Sequence, residues 1–270
     1  MTTTNQEEIK KTIDKTFTLN LTANKDLIQE EYQKILKEIK EKFKSPGFRE
    51  GKAPTDILEK NVDKEEIMKE LIPKVISKIY SDKVKQYDLK PIIQPKVTIK
   101  TTPIDIDKDW EFEIVGAEIP DVKIDPKYQE EIKKFNQENK EKNEKQQNGI
   151  IEILLKNTEI TIPSVVIDHD LQYQLSKLVD QANQANITVE QYLSQKNTNI
   201  EEYRKDLATR IEKEWKINLI IDEIGKTANV KIEPKEVQDI IAKNPNLQSN
   251  INLVYYLLQQ QKVFEYLSNL

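Results

Sequence analysis

The sequence contains no cysteine, five glycines and a single histidine in 270 residues. Without thiols the chain can form neither a disulfide framework nor a thiolate metal or redox centre. No glycine-rich phosphate loop and no HExxH zinc motif occur. His169 lies between Asp168 and Asp170 in a stretch of helical periodicity. A His-Asp neighbour pair is no triad, and the residue reads as a solvated or boundary group rather than a general base. No apolar run approaches the roughly 18 residues that would cross a bilayer. The opening stretch MTTTNQEEIKKT also lacks the apolar segment of a secretion signal. These absences point away from an enzyme, from a cofactor or metal and from a membrane, and towards a cytoplasmic binding protein.

What is present is charge and helical periodicity. One third of the residues are charged, 37% are apolar, and the net charge is −5. That balance argues against a dedicated nucleic-acid protein, which would be basic overall. Residues 13–21 alternate apolar and polar positions (Ile13, Phe17, Leu19, Leu21), the period of a half-buried strand. Over 24–43, Leu27, Ile28, Tyr32, Ile35, Leu36, Ile39 and Phe43 recur every three or four positions, which predicts an amphipathic helix ended by Ser45-Pro46-Gly47. Helical patterns follow over 54–60 and 63–88, with Pro73 expected to kink the second, and strands are expected over 96–101 and 110–115. This order makes an α+β domain over 1–118.

Ile119–Pro126 carries two prolines and reads as an extended linker. Over 127–148 only Tyr128, Ile132 and Phe135 are strongly apolar, so one long polar helix or a partly disordered spacer is expected. Helices are then expected over 150–157, 164–186, 199–225 and 247–269, with short ones at 188–195 and 234–243. Thr188 with Gln191 and Asn199 with Glu202 supply capping-box signals, Pro163 and Pro234 suit first turns, and Gly225 suits an exit. The fold class is therefore an α+β N-terminal domain followed by an all-α C-terminal domain with helical arms, an elongated two-domain architecture. In the last helix Leu253, Val254, Tyr255, Tyr256, Leu257 and Leu258 form an apolar run wider than one stripe. Either the helix is buried on two sides or part of the surplus faces other proteins.

The segment GFREGKAP, residues 47–54, places two of the five glycines four apart around Phe48 and Arg49. From Lys34 to Lys52 seven cations (34, 37, 40, 42, 44, 49, 52) oppose three acids (38, 41, 50), a basic stretch in an acidic chain. With strand, helix, this loop and helix in order, followed by DLKPIIQPKVTI, WEFEIVGAEIPDVKI and LLKNTEITIPSVVIDHDLQYQL, the chain resembles the trigger factor family, bacterial ribosome-associated chaperones. The loop matches that family's Gly-Phe-Arg-x-Gly-x-x-Pro docking signature.

The resemblance implies a chaperone that needs no ATP, with two partners: the ribosome, through exit-site protein and rRNA, and nascent or unfolded polypeptide. It also implies a possible homodimer when free. Gly47, Phe48, Arg49, Gly51, Lys52 and Pro54 are the ribosome-binding candidates, and Tyr203, Trp215, Tyr255, Tyr256 and Phe264 the client-binding candidates. Residues 119–149 stand as linker and polar helix in place of the family's glycine-rich prolyl isomerase domain, and 150–270 as the helical chaperone domain. Two further departures are Glu50, where the family often has lysine, and a shortened stretch between Val237 and Ile251. An adaptor that grips one folded partner, with little ribosome binding, remains open beside the chaperone reading.

Overall fold

A computed structural model describes residues 9–42, 64–139 and 144–270, and it separates into two compact units that meet in sequence between Ile119 and Pro120. In the first unit, strands β1 (Ile9–Lys11), β2 (Thr16–Ala23), β3 (Lys96–Ile99) and β4 (Trp110–Ala117) form an antiparallel sheet in the order β1-β2-β4-β3. The period-2 pattern decides its faces. Phe17, Leu19, Leu21 and Ala23 of β2 pair across to Gly116, Ile114, Phe112 and Trp110 of β4 and turn one apolar face inward. Helices α1 (Lys25–Lys42) and α2 (Lys64–Gln86) cover that face with Ile28, Ile35 and Leu36 from the first and Ile67, Leu71 and Val75 from the second. Helix α2 runs through Pro73 as one helix.

Ile13 does not begin a strand as its alternation suggests. It is fully exposed in the turn between β1 and β2. The Asp14 carboxylate accepts hydrogen bonds from the Thr12 hydroxyl and from the Thr16 amide, the latter at 3.2 Å. Lys15 takes a positive φ of 67°. The local Asp turn wins over the apolar pattern because Asp offers the backbone its own partners.

Between the two helices, Glu31 is the pivot. Its Oε1 accepts from Lys34 Nζ on its own helix and from Lys78 Nζ on α2, each at 2.9 Å, while Lys74 bridges Glu38 at 3.2 Å and Glu70 at 2.7 Å. The Glu31 side chain is only 11% exposed.

The second unit is helical apart from a two-residue ribbon. Its elements are β5 (Lys123–Ile124), α3 (Lys127–Glu138), α4 (Glu144–Lys156), β6 (Thr158–Glu159), α5 (Ser164–Gln184), α6 (Val189–Ser194), α7 (Ile200–Thr227), α8 (Pro234–Lys243), a 3-10 turn (Pro245–Asn250) and α9 (Ile251–Ser268). The extended-linker reading of 119–126 is corrected in part: Lys123 and Ile124 pair with Glu159 and Thr158, and Val122 and Ile124 pack on the core. The single polar helix expected over 127–148 is instead two antiparallel helices, α3 and α4. Tyr128 and Ile132 of α3 meet Ile150 and Leu154 of α4, Ile220, Ile221 and Ile224 of α7, and Val263 and Leu267 of α9. The three apolar residues at helical spacing thus suffice to anchor a segment whose composition reads as solvated.

Two glycines of this unit allow close approaches. A Cβ at Gly149 would lie 2.2 Å from the Phe135 ring of α3, and one at Gly225 would lie 2.9 Å from the Gln259 side chain of α9. Gly225 is therefore a packing residue inside α7 rather than the exit expected from sequence. The helix runs on to Thr227, and Asn229 takes the positive φ of 51°. Thr188 and Gln191 form the reciprocal capping box of α6. Asn199 caps α7 by accepting from the amides of Glu201 and Glu202, both at 3.0 Å. Glu202 instead reaches the Thr198 hydroxyl. Pro234 opens α8 as expected, whereas Pro163 sits just before α5.

Two predictions follow from these contacts. In Gly149→Ala, alanine's better helix propensity, worth about 1 kcal/mol, opposes an overpacking cost of about 1–3 kcal/mol. Urea unfolding should show net destabilisation of roughly 1 kcal/mol, abolished when Phe135→Leu is added. Persistence of the loss in the double variant would show that the ring is not its cause. For Glu31, bonding from Lys34 and then Lys78 lowers the carboxyl below its ordinary 4.5. A depressed folded pKa stabilises above about pH 4.5, and this contribution is lost as pH falls through the folded value. Glu31→Gln should cost on the order of 1 kcal/mol at pH 7 and much less at a pH low enough to protonate the folded carboxyl. Equal loss at both pH values would assign the effect to packing.

Candidate functional site

The ribosome-binding candidates Gly47, Phe48, Arg49, Gly51, Lys52 and Pro54 all lie outside the described residues, as does Phe43. The described part of the basic stretch is more nearly neutral than its count suggests. Lys34 is spent on Glu30 and Glu31, at 2.6 and 2.9 Å, and both acids lie just outside the counted window. Lys37 is exposed on α1.

The client-binding candidates divide by what they touch. Tyr203 and Trp215 of α7 pack beside Leu171, Leu207 and Ile211 in the seam with α5, and Trp215 Nε1 donates to Asp170 Oδ2 at 2.7 Å. They are half-buried structural residues. The other Asp170 oxygen lies 3.0 Å from His169 Nδ1. That arrangement orients an indole and gives His169 no nucleophile to activate. Phe264 of α9 packs against the cluster formed by α3, α4 and α7, although it also borders a surface groove.

Tyr255 and Tyr256 differ from these three. They are 40% and 37% exposed, and Ile251, Leu253 and Leu257 on the same two turns are exposed as well. Only Val254 and Leu258 of this half of α9 are buried, against Val237 of α8. The reason is positional. Val263 and Leu267 fix the C-terminal half of α9 in the four-helix core, whereas the N-terminal half meets only α8, the residue Ile232 before it and the 3-10 turn after it. Lys262 Nζ donates to Glu236 Oε2 at 2.6 Å and to the Lys231 carbonyl at 2.8 Å, which ties α9 to the start of α8. Gln259 and Gln260 bond Asp222 and Asn218 of α7, both at 3.1 Å.

Five large apolar side chains are thereby held out on a rigid helix, an arrangement suited to binding another protein's apolar surface. Burial raises the Tyr256 phenol above its ordinary 10.0, so it stays neutral, and its oxygen accepts from Gln260 Nε2 at 2.5 Å. Sequence reasoning selected the two tyrosines and passed over Ile251, Leu253 and Leu257. Leu253 and Leu257 belong to the same apolar run as the tyrosines, and Ile251 lies two positions before it. Among the described residues there is no acid or histidine cluster that could hold a metal, and no helix long and apolar enough to cross a membrane.

Comparison with known proteins agrees with this architecture. The family model described as bacterial trigger factor protein matches residues 5–154, and that for the bacterial trigger factor C-terminus matches residues 126–269. Among curated relatives, the trigger factor of Streptococcus mutans serotype c is 26% identical over 157 residues, covering 56% of this chain and 36% of that protein. The trigger factor of Dehalococcoides mccartyi is 33% identical over 75 residues, covering 28% of this chain and 17% of its own length. The chain thus matches about a third or less of the length of these relatives. A solved structure described under "Promiscuous Substrate Recognition in Folding and Assembly Activities of the Trigger Factor Chaperone" superimposes with a TM-score of 0.63 over 97% of this chain and 99% of its own. At 12% identity that likeness shows the fold alone. With both family models matching more than half of the chain, and with a sheet-and-hairpin unit followed by a helical unit, the chain belongs to the trigger factor family.

Proposed function

We propose that this chain is a chaperone that holds unfolded or nascent polypeptide on its helical unit without ATP. The observation that carries the reading is the exposed apolar half of α9, where Ile251, Leu253, Tyr255, Tyr256 and Leu257 stand on a helix fixed at its other end. Shallow apolar contacts of this kind release by dissociation, and no nucleotide-binding motif is needed or present in the sequence. Docking at the ribosome is assigned to Phe48, Arg49 and Lys52, with Gly47, Gly51 and Pro54 shaping the loop. Support comes from the match of GFREGKAP to the family signature. Aromatic and cationic side chains there suit an apolar slot beside rRNA phosphate. That residues 119–149 hold a single glycine and carry α3 and the start of α4 supports reading the protein as non-catalytic, without the family's glycine-rich isomerase domain. We place it in the cytoplasm.

Two measurements test this reading. Phe48→Ala with Arg49→Ala should remove the protein from the ribosome pellet on sedimentation and leave its thermal midpoint nearly unchanged, as expected of residues that serve a partner and not the core. Undiminished pelleting would discard the docking assignment. Tyr255→Ser with Tyr256→Ser should cost less than the roughly 3–5 kcal/mol of a large-to-small core change. The same variant should weaken protection of an unfolded protein against aggregation, measured by light scattering. Unaltered protection would favour the adaptor reading.

A further inference from the structure

The apolar pattern at the start of α9 is that of a strand, although the segment is helical. Val254 and Leu258, four apart, are buried against Val237, whereas Ile251, Leu253, Tyr255 and Leu257 are exposed. These exposed four stand two apart in sequence, so on a helix each points about 200° away from the last, and no single neighbour can cover them. Along a strand the same spacing would line all four on one face. The opposite face would carry Asn252, Val254, Tyr256 and Leu258.

Ties at one end keep the segment helical. Gln259 Nε2 donates to Asp222 Oδ1 and Gln260 Nε2 to Asn218 Oδ1, both at 3.1 Å, and Lys262 Nζ donates to Glu236 Oε2 at 2.6 Å. The other end starts without such help. Asn250 makes no side-chain capping hydrogen bond, and the first turn has no acid to meet the helix dipole. Local opening therefore meets least resistance from the N-terminal end of α9.

Composition decides what an opened segment would pair with. Asn244–Gln261 is a run of eighteen residues without a charged side chain, in a chain one third charged, and from Asn246 onward it holds neither proline nor glycine. Stacked identical strands set each side chain on its own copy. Charge opposes that arrangement, whereas asparagine and glutamine favour it through amide ladders and tyrosine through ring stacking. The nearest charges in sequence are Lys243 and Lys262, outside the run at either end. We propose that residues 251–258, on leaving the helix, form cross-β contacts with the same segment of a second copy of this chain, and that the ties from Gln259, Gln260 and Lys262 hold them back. The inference is independent of the chaperone reading, because it involves no client.

The test shakes the full chain in urea below its unfolding midpoint and follows thioflavin T fluorescence. Fibrils with reflections at about 4.7 Å and about 10 Å are expected. Their protease-resistant core, identified by mass spectrometry, should contain residues 251–258. Leu257→Lys and Tyr255→Lys, at positions 47% and 40% exposed, place a charge in the stacked face, and each should lengthen the lag severalfold. Val179→Lys adds the same charge at an exposed position of α5 and should leave the lag unchanged. Asn218→Ala removes the partner of Gln260 without touching the segment and should shorten it. Thermal melting establishes that each variant folds, and should a lysine variant melt early, the position of the resistant core decides alone. A chain that stays soluble, deposits that do not bind the dye, a core that omits 251–258, or lysine variants as fast as Val179→Lys would overturn the pairing. An unchanged lag in Asn218→Ala would overturn the role of the ties.

Discussion

Helix α7 must serve two apolar clusters in succession, and the helical unit is arranged around that requirement. Leu207 and Ile211, near its start, close against Leu171 of α5, and Ile220, Ile221 and Ile224, further along, complete the core with α3, α4 and α9. One 28-residue helix is long enough for both, about 42 Å at 1.5 Å per residue. The clusters draw on different partners, and α9 joins the second with its C-terminal half, so its apolar N-terminal half is covered on one side only, by α8 and the 3-10 turn. Its exposure is thus a consequence of where the core is placed, and no loosened packing is required to produce it.

Electrostatics divides the molecule in a complementary way. In the first unit, the α1–α2 pair is stitched by lysines and glutamates that consume part of the basic charge counted near the GFREGKAP segment. In the second, charge is withdrawn from the stretch around the start of α9 and replaced by asparagine, glutamine and tyrosine. Ion pairs give the hairpin a specified register, since Glu31 can face Lys78 in one alignment only. Neutral amides fix no such register.

Much of the fold was legible because its periods are clean. The β2 alternation from Phe17 to Leu21, the α1 stripe from Ile28 to Leu36 and the Thr188 capping box all appear where the pattern puts them. Misreadings arose where a local or distant partner outweighed the period. Asp14 captured the turn that Ile13 seemed to start as a strand, and β6 recruited Ile124 from what reads as a linker. Gly225 was spent on the approach of α9, a long-range fact that no window around residue 225 contains. At the candidate face, sequence could name the apolar run but could not divide it. Val254 differs from Leu253 and Tyr255 only in which side of the helix meets α8.

The placement of the two indoles has a practical side. The chain has two tryptophans, and each unit holds one: Trp110 is fully buried at the start of β4 with its Nε1 on the Asp105 carbonyl, while Trp215 is half-buried with its Nε1 on the Asp170 carboxylate. The first should emit at short wavelength and resist quenchers, and the second should emit further to the red and feel iodide. The intrinsic spectrum is therefore a two-channel record in which sheet and helices can be watched separately without attaching any label.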